Sequence, residues 1–105
     1  MKFLTKEVLA ALPPLYANEE KANEETLVPL KLFNPVGAQT WYVTEYDPES
    51  GNAFGYATGI GFDELGYISI PELEATRLPL GLRIERDLYW DPKTTLAQVI
   101  SGERK

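Results

Sequence analysis

The stretch Trp41-Tyr-Val-Thr-Glu-Tyr-Asp-Pro-Glu-Ser-Gly-Asn-Ala-Phe-Gly-Tyr-Ala-Thr-Gly59 decides the fold class. Aromatic and β-branched residues fill two arms. Between them, Asp47-Pro-Glu-Ser-Gly-Asn52 is made of residue types that reverse a chain. The spacing predicts a β-hairpin with arms Trp41–Tyr46 and Ala53–Gly59, gathering carboxylates and aromatic rings at one corner of a sheet. Gly55, Gly59 and Gly61 leave little side chain on one face of the second arm, where another element is expected to press closely. The run Gly55–Gly61 has neither the Lys-Ser/Thr of a phosphate loop nor a G-x-G-x-x-G spacing before a long helix, so nucleotide binding is excluded.

Toward the N-terminus, Leu27–Phe33 reads as a first strand, with Pro29 marking an edge position or a bulge. Thr5 is placed to cap a helix through Val8, Leu9 and Leu12, stopped by Pro13-Pro14. Residues 17–26 carry Glu19, Glu20, Lys21, Glu24 and Glu25 and read as a solvated, mobile acidic loop. Toward the C-terminus, Gly66–Ile70 is a fourth strand. Ser69 and Glu72 have the capping-box spacing, with Pro71 suited to the first turn of a helix reaching about Arg77. Alternation over Arg83–Trp90 predicts a fifth strand. Thr95 and Gln98 introduce a terminal helix through Leu96, Val99 and Ile100, and 101–105 reads as a frayed tail. The expectation is one domain, residues 1–105, of the α+β class: a single antiparallel-rich sheet of about five strands with short helices at the N-terminus, middle and C-terminus.

Composition narrows the chemistry. The 105 residues include no cysteine and no histidine, which excludes disulfides, thiolate nucleophiles, imidazole bases and Cys/His metal sites. A formal charge of −6, from 10 Lys and Arg against 16 Asp and Glu, disfavours nucleic acid and anionic membrane and favours basic partners. The opening Met1-Lys-Phe-Leu-Thr-Lys-Glu7 has no apolar run of signal-peptide length, and no segment approaches a membrane span. A cytoplasmic location is therefore expected.

Strand alternation puts Glu45 on the Trp41/Val43 face, opposite Tyr42, Thr44 and Tyr46. With Asp47 and Glu49, and Asp63 and Glu64 nearby, Glu45 forms the candidate set for a divalent metal, Mg²⁺ or Mn²⁺. The simpler reading has Asp47 starting the turn and Glu49 in solvent. Arg86 falls on the apolar-looking face with Ile84 and Leu88, opposite Arg83, Glu85 and Asp87. A charge there needs a partner. Glu45 is the expected one, in a structural ion pair that fixes register, or in a polar pocket that recognises a carboxylate or phosphate. Most aromatics belong to the core. The excess, Tyr42, Tyr46 and Tyr89, is the candidate interaction surface, because tyrosine is favoured at interfaces. Base stacking is disfavoured by the acidic surroundings.

Leu12-Pro-Pro-Leu-Tyr16, Trp41–Asp47, Glu64-Leu-Gly-Tyr67 with Ser69 and Glu72-Leu73, and Ile84–Leu88 together resemble the uncharacterised bacterial family of domain of unknown function 2958. The resemblance spans Phe3 to Leu96. It implies a small stand-alone product, often carried on plasmids and other mobile elements beside antirestriction-type genes. It implies no activity and no catalytic residues. Pro71 stands where such sequences often have a polar residue, a change expected to matter only to the helix start.

These readings converge on a non-enzymatic protein-interaction module with an acidic, tyrosine-rich surface. The expected context is mobile-element or anti-defence biology, with a basic nucleic-acid-handling enzyme as the type of partner and no cofactor. The competing expectation is a hydrolase or nuclease using Glu45, Asp47 and neighbouring carboxylates with a divalent metal.

Overall fold

The structure, a computed structural model, describes residues 2–104; Met1 and Lys105, the last residue of the expected tail, lie outside them. The chain runs α1 (Lys6–Ala11), β1 (Leu30–Phe33), β2 (Thr40–Tyr46), β3 (Asn52–Thr58), β4 (Glu64–Ser69), α2 (Ile70–Ala75), a 3-10 turn at Pro79–Gly81, β5 (Glu85–Arg86) and α3 (Leu96–Ser101). The strands form one antiparallel sheet in the order β4-β3-β2-β1-β5, which is the expected α+β architecture. No described helix is long and apolar enough to cross a membrane.

Local chemistry sets the element ends. The hydroxyls of Thr5, Ser69 and Thr95 accept the amides of Val8, Glu72 and Gln98, and only Thr95–Gln98 completes the reciprocal capping box. The hairpin turn closes with the Asp47 amide donating to the Asn52 carbonyl, and Gly51 takes φ 79°, a conformation that costs other residues about 1–2 kcal/mol. Pro29 lies just outside β1, which is an interior strand, and the peptide ahead of it makes only an isolated bridge between Leu27 and Thr95. The fifth strand is far shorter than alternation over Arg83–Trp90 suggests. Asp87 ends it, its Oδ1 accepting the Tyr89 amide and its carbonyl accepting the Trp90 amide, so the backbone turns away from β1.

The sheet carries a core on each face. One cluster packs Phe3, Val8, Leu30, Leu32, Val43, Ala53, Ile68, Ile70 and Ile84, with Trp41 and Tyr46 against it. On the other face Val28 and Tyr42 pack against Leu96 and Val99 of α3, with Tyr56 and Trp90 alongside. Each fully buried Leu, Ile or Val is worth about 1.5–3 kcal/mol relative to exposure, so both layers hold the helices on. Tyr42, expected at the surface, is 2% exposed because α3 covers its face. The last described residues are also tied. Gly102 caps α3, and Arg104 donates from its amide to the Gln98 carbonyl and pairs with Asp91 at 3.2 Å.

One irregularity decides where the functional groups go. Val43 pairs with Gly55 and Glu45 with Phe54, so Thr44 is an extra residue, a β-bulge. The bulge shifts the alternation by one and leaves Tyr42, Val43, Thr44 and Glu45 all buried in succession. Glu45 thereby moves to the Tyr42 face, and Tyr46 joins the Val43 face. Gly55 is required opposite the bulge, since a Cβ there would collide with the Tyr42 carbonyl.

Candidate functional site

Glu45 is 5% exposed and lies on the floor of a cleft of about 270 Å³ between the sheet and the segment that follows α1. Its carboxylate is held by backbone. Oε1 accepts the Tyr16 amide at 2.9 Å and Oε2 accepts the Asn18 amide at 2.8 Å, while Asn18 Nδ2 donates to the Thr44 carbonyl. The Tyr46 amide donates to the Pro13 carbonyl just upstream. Through these contacts β2 fastens the segment beginning at Leu12-Pro-Pro-Leu-Tyr16. From there to Glu25 the chain runs as successive turns bonded Ala17 to Pro14, Glu19 to Tyr16, Lys21 to Asn18 and Glu25 to Ala22. The acidic side chains of the segment stay in solvent, but its backbone is bound to the sheet.

The cleft walls are aromatic. Phe54 and Tyr67 meet edge to face with ring centres 5.5 Å apart, and the Tyr67 hydroxyl lies 3.0 Å from that of Tyr16. Leu65, two residues from Tyr67 on the same face of edge strand β4, and Leu96 of α3 add apolar surface; Glu19 and Lys21 stand on the segment side. The hydrogen bond that its hydroxyl shares with Tyr16 is the largest influence raising the Tyr67 phenol above its ordinary value. Tyr16 has φ 72°, unusual for a side chain of this size, and the hydrogen bond its amide donates to Glu45 supports that conformation.

The expected pairing of Glu45 with Arg86 does not form. The bulge puts Glu45 on the Phe54 face, whereas Arg86 sits opposite Leu32 on the other face and donates from Nε to the Lys2 carbonyl at 3.1 Å. Among the described residues the ion pairs are Lys31–Asp87 at 3.3 Å and Arg104–Asp91. Lys31 also lies over the rings of Tyr42 and Trp90 and lines, with Trp90, a second hollow beside β5.

The three metal candidates diverge. Glu45 is engaged beneath the cleft, and Asp47 turns back on its own loop, accepting the Glu49 amide and the Ser50 hydroxyl. The Ser50 contact, ahead of the Glu49 one, holds the Asp47 carboxyl below its usual range. Glu49 is exposed, and no three carboxylates among the described residues are grouped to hold a metal ion. The expected surface of Tyr42, Tyr46 and Tyr89 is divided as well. Tyr42 and Tyr46 lie on opposite faces with phenols raised chiefly by burial, and Tyr89 stands alone at 97% exposure.

The sequence marks Glu45 but not its role; Phe54 and Tyr67 read there as core aromatics, and Tyr16 and Leu65 stand out only within the stretches that carry the family resemblance. Two polar residues, Thr44-Glu45, inside an apolar arm, next to Val43 with Gly55 across from it, are the local sign of a bulge.

A two-faced α+β sheet with one aromatic cleft over a buried carboxylate defines the kind of protein this is. The chain belongs to the family described as protein of unknown function (DUF2958), which it matches over residues 3–105. No curated protein and no solved structure matches it. Three of the four stretches that carry the family resemblance meet at the cleft, contributing Tyr16, Glu45, and Leu65 with Tyr67.

Proposed function

We propose that this protein is a non-enzymatic interaction module whose recognition surface is the cleft and the β4 edge beside it. The observation that carries the reading is that exposed apolar side chains share the cleft: Tyr16 is 61% exposed, Tyr67 63% and Leu65 43%, with Phe62 at 68% on the loop leading into β4, whereas other exposed apolar groups such as Leu80, Leu88 and Tyr89 line no part of it. Exposed apolar groups gathered on one side of a small domain mark a surface that another molecule covers. β4 is also an outer strand of the sheet, so its free edge can accept a partner's backbone. The formal charge of −6 favours a basic partner. A DNA-handling enzyme fits this chemistry, and the mobile-element setting implied by the family resemblance supplies an anti-defence role.

The test is capture of partners on immobilised protein at low and high salt, followed by binding measurements with the purified partner. Tyr67→Ser should abolish the interaction and Tyr89→Ser should leave it intact. Equal binding by both variants would overturn the reading.

A further inference from the structure

We infer that the cleft receives an arginine side chain of the partner, an inference that rests on the interaction reading above and gives that surface its chemistry. Three observations carry it. First, Glu45 is buried, yet among the described residues it has no ion pair within 4.0 Å; its carboxylate accepts from two backbone amides. A carboxylate has about four acceptor positions, so two amides leave room for a further donor. Second, Glu45 lines the cleft instead of being sealed in packing, so a donor entering the cleft meets this residue.

Third, the walls suit a flat cation. Tyr16, Phe54 and Tyr67 offer ring surface within the same cleft, and a guanidinium stacks on aromatic faces while donating two parallel bonds to a carboxylate. At about 270 Å³ the space suits one long side chain and falls at or below the small end of cofactor-sized pockets. Lys21, on the rim, opposes an entering cation and Glu19 favours it, so the rim is balanced and the floor carboxylate supplies the attraction.

The probe is a short peptide with one arginine between apolar residues, compared with the same peptide carrying citrulline, which keeps the shape and loses the charge. Binding is followed by the amide NMR shifts of Tyr16 and Asn18, whose protons point at Glu45. The arginine peptide should move both resonances in a saturable way, and the citrulline peptide should bind at least tenfold more weakly. Tyr67→Leu should weaken the arginine peptide several-fold with the fold intact, and Lys21→Ala should tighten it. Equal binding of the two peptides, or shifts located away from the cleft, would overturn the inference. No saturable shift into the millimolar range would do the same. If the captured partner still depends on Tyr67 in that event, the interaction reading survives and only its arginine chemistry falls; if neither dependence is found, both fall.

Discussion

The Glu45 carboxylate and the Tyr16 amide, 29 residues apart in sequence, meet at 2.9 Å, and this hydrogen bond supports the φ of 72° at Tyr16. It joins the segment after α1 to the central hairpin. Without it the cleft loses one wall, because Tyr16 carries both the strained backbone and the hydroxyl that reaches Tyr67.

Glu45→Ala should therefore destabilise the protein by about 3 kcal/mol. It orphans two amides that now bond to a charged acceptor, each such bond being worth roughly 1.5–3 kcal/mol. Glu45→Gln should cost less, since its carbonyl still serves one amide. Urea unfolding of the three proteins checks the order, and a loss below about 1 kcal/mol for the alanine variant would show the contact to be weak.

Gly55→Ala should cost about 2–3 kcal/mol, near the upper range for adding a carbon to a packed position, because its Cβ meets the Tyr42 carbonyl across the bulge. Thermal unfolding with calorimetry measures this. A neutral substitution would mean that β2 and β3 separate more easily than the bulge geometry implies.

Leu80 has φ 63° and is 94% exposed. Glycine there should stabilise by about 0.5–1 kcal/mol, the left-handed penalty of about 1–2 kcal/mol being partly offset by the entropy of a more flexible unfolded chain. Denaturant midpoints test the sign.

Stability should fall in alkali. Burial raises the Tyr42 and Tyr46 phenols above their ordinary value, so the folded state favours the neutral form. That contribution is fully present below about pH 10, where the unfolded phenols begin to ionise, and is lost as pH rises through the higher folded values. Asp47 acts in the opposite sense. Its lowered value gives stability present above about pH 4 that fades as pH falls through the folded value, and Ser50→Ala should move its NMR titration upward. A denaturation midpoint that stays flat across tyrosine ionisation would contradict the first assignment.

Short-range chemistry is legible in the sequence. Thr5, Ser69 and Thr95 cap where their spacing indicates, and Asp47 starts the hairpin turn, because each signal acts within a few residues. Strand faces are legible only while the period of two holds. The extra residue Thr44 reverses the side of Glu45 and Tyr46, which removes the Glu45–Arg86 pair and relocates the candidate site. The Tyr16–Tyr67 contact spans 51 residues, and the burial of Tyr42 depends on α3; neither leaves a local pattern.

Amide hydrogen exchange of the wild-type protein tests most directly whether Glu45 builds the cleft. The Tyr16 and Asn18 amides, in a segment whose acidic side chains stand in solvent, should exchange at least about a hundredfold more slowly than in an unstructured chain, and Glu45→Ala should remove this protection. Exchange at the unprotected rate in the wild-type protein would contradict a cleft built on Glu45.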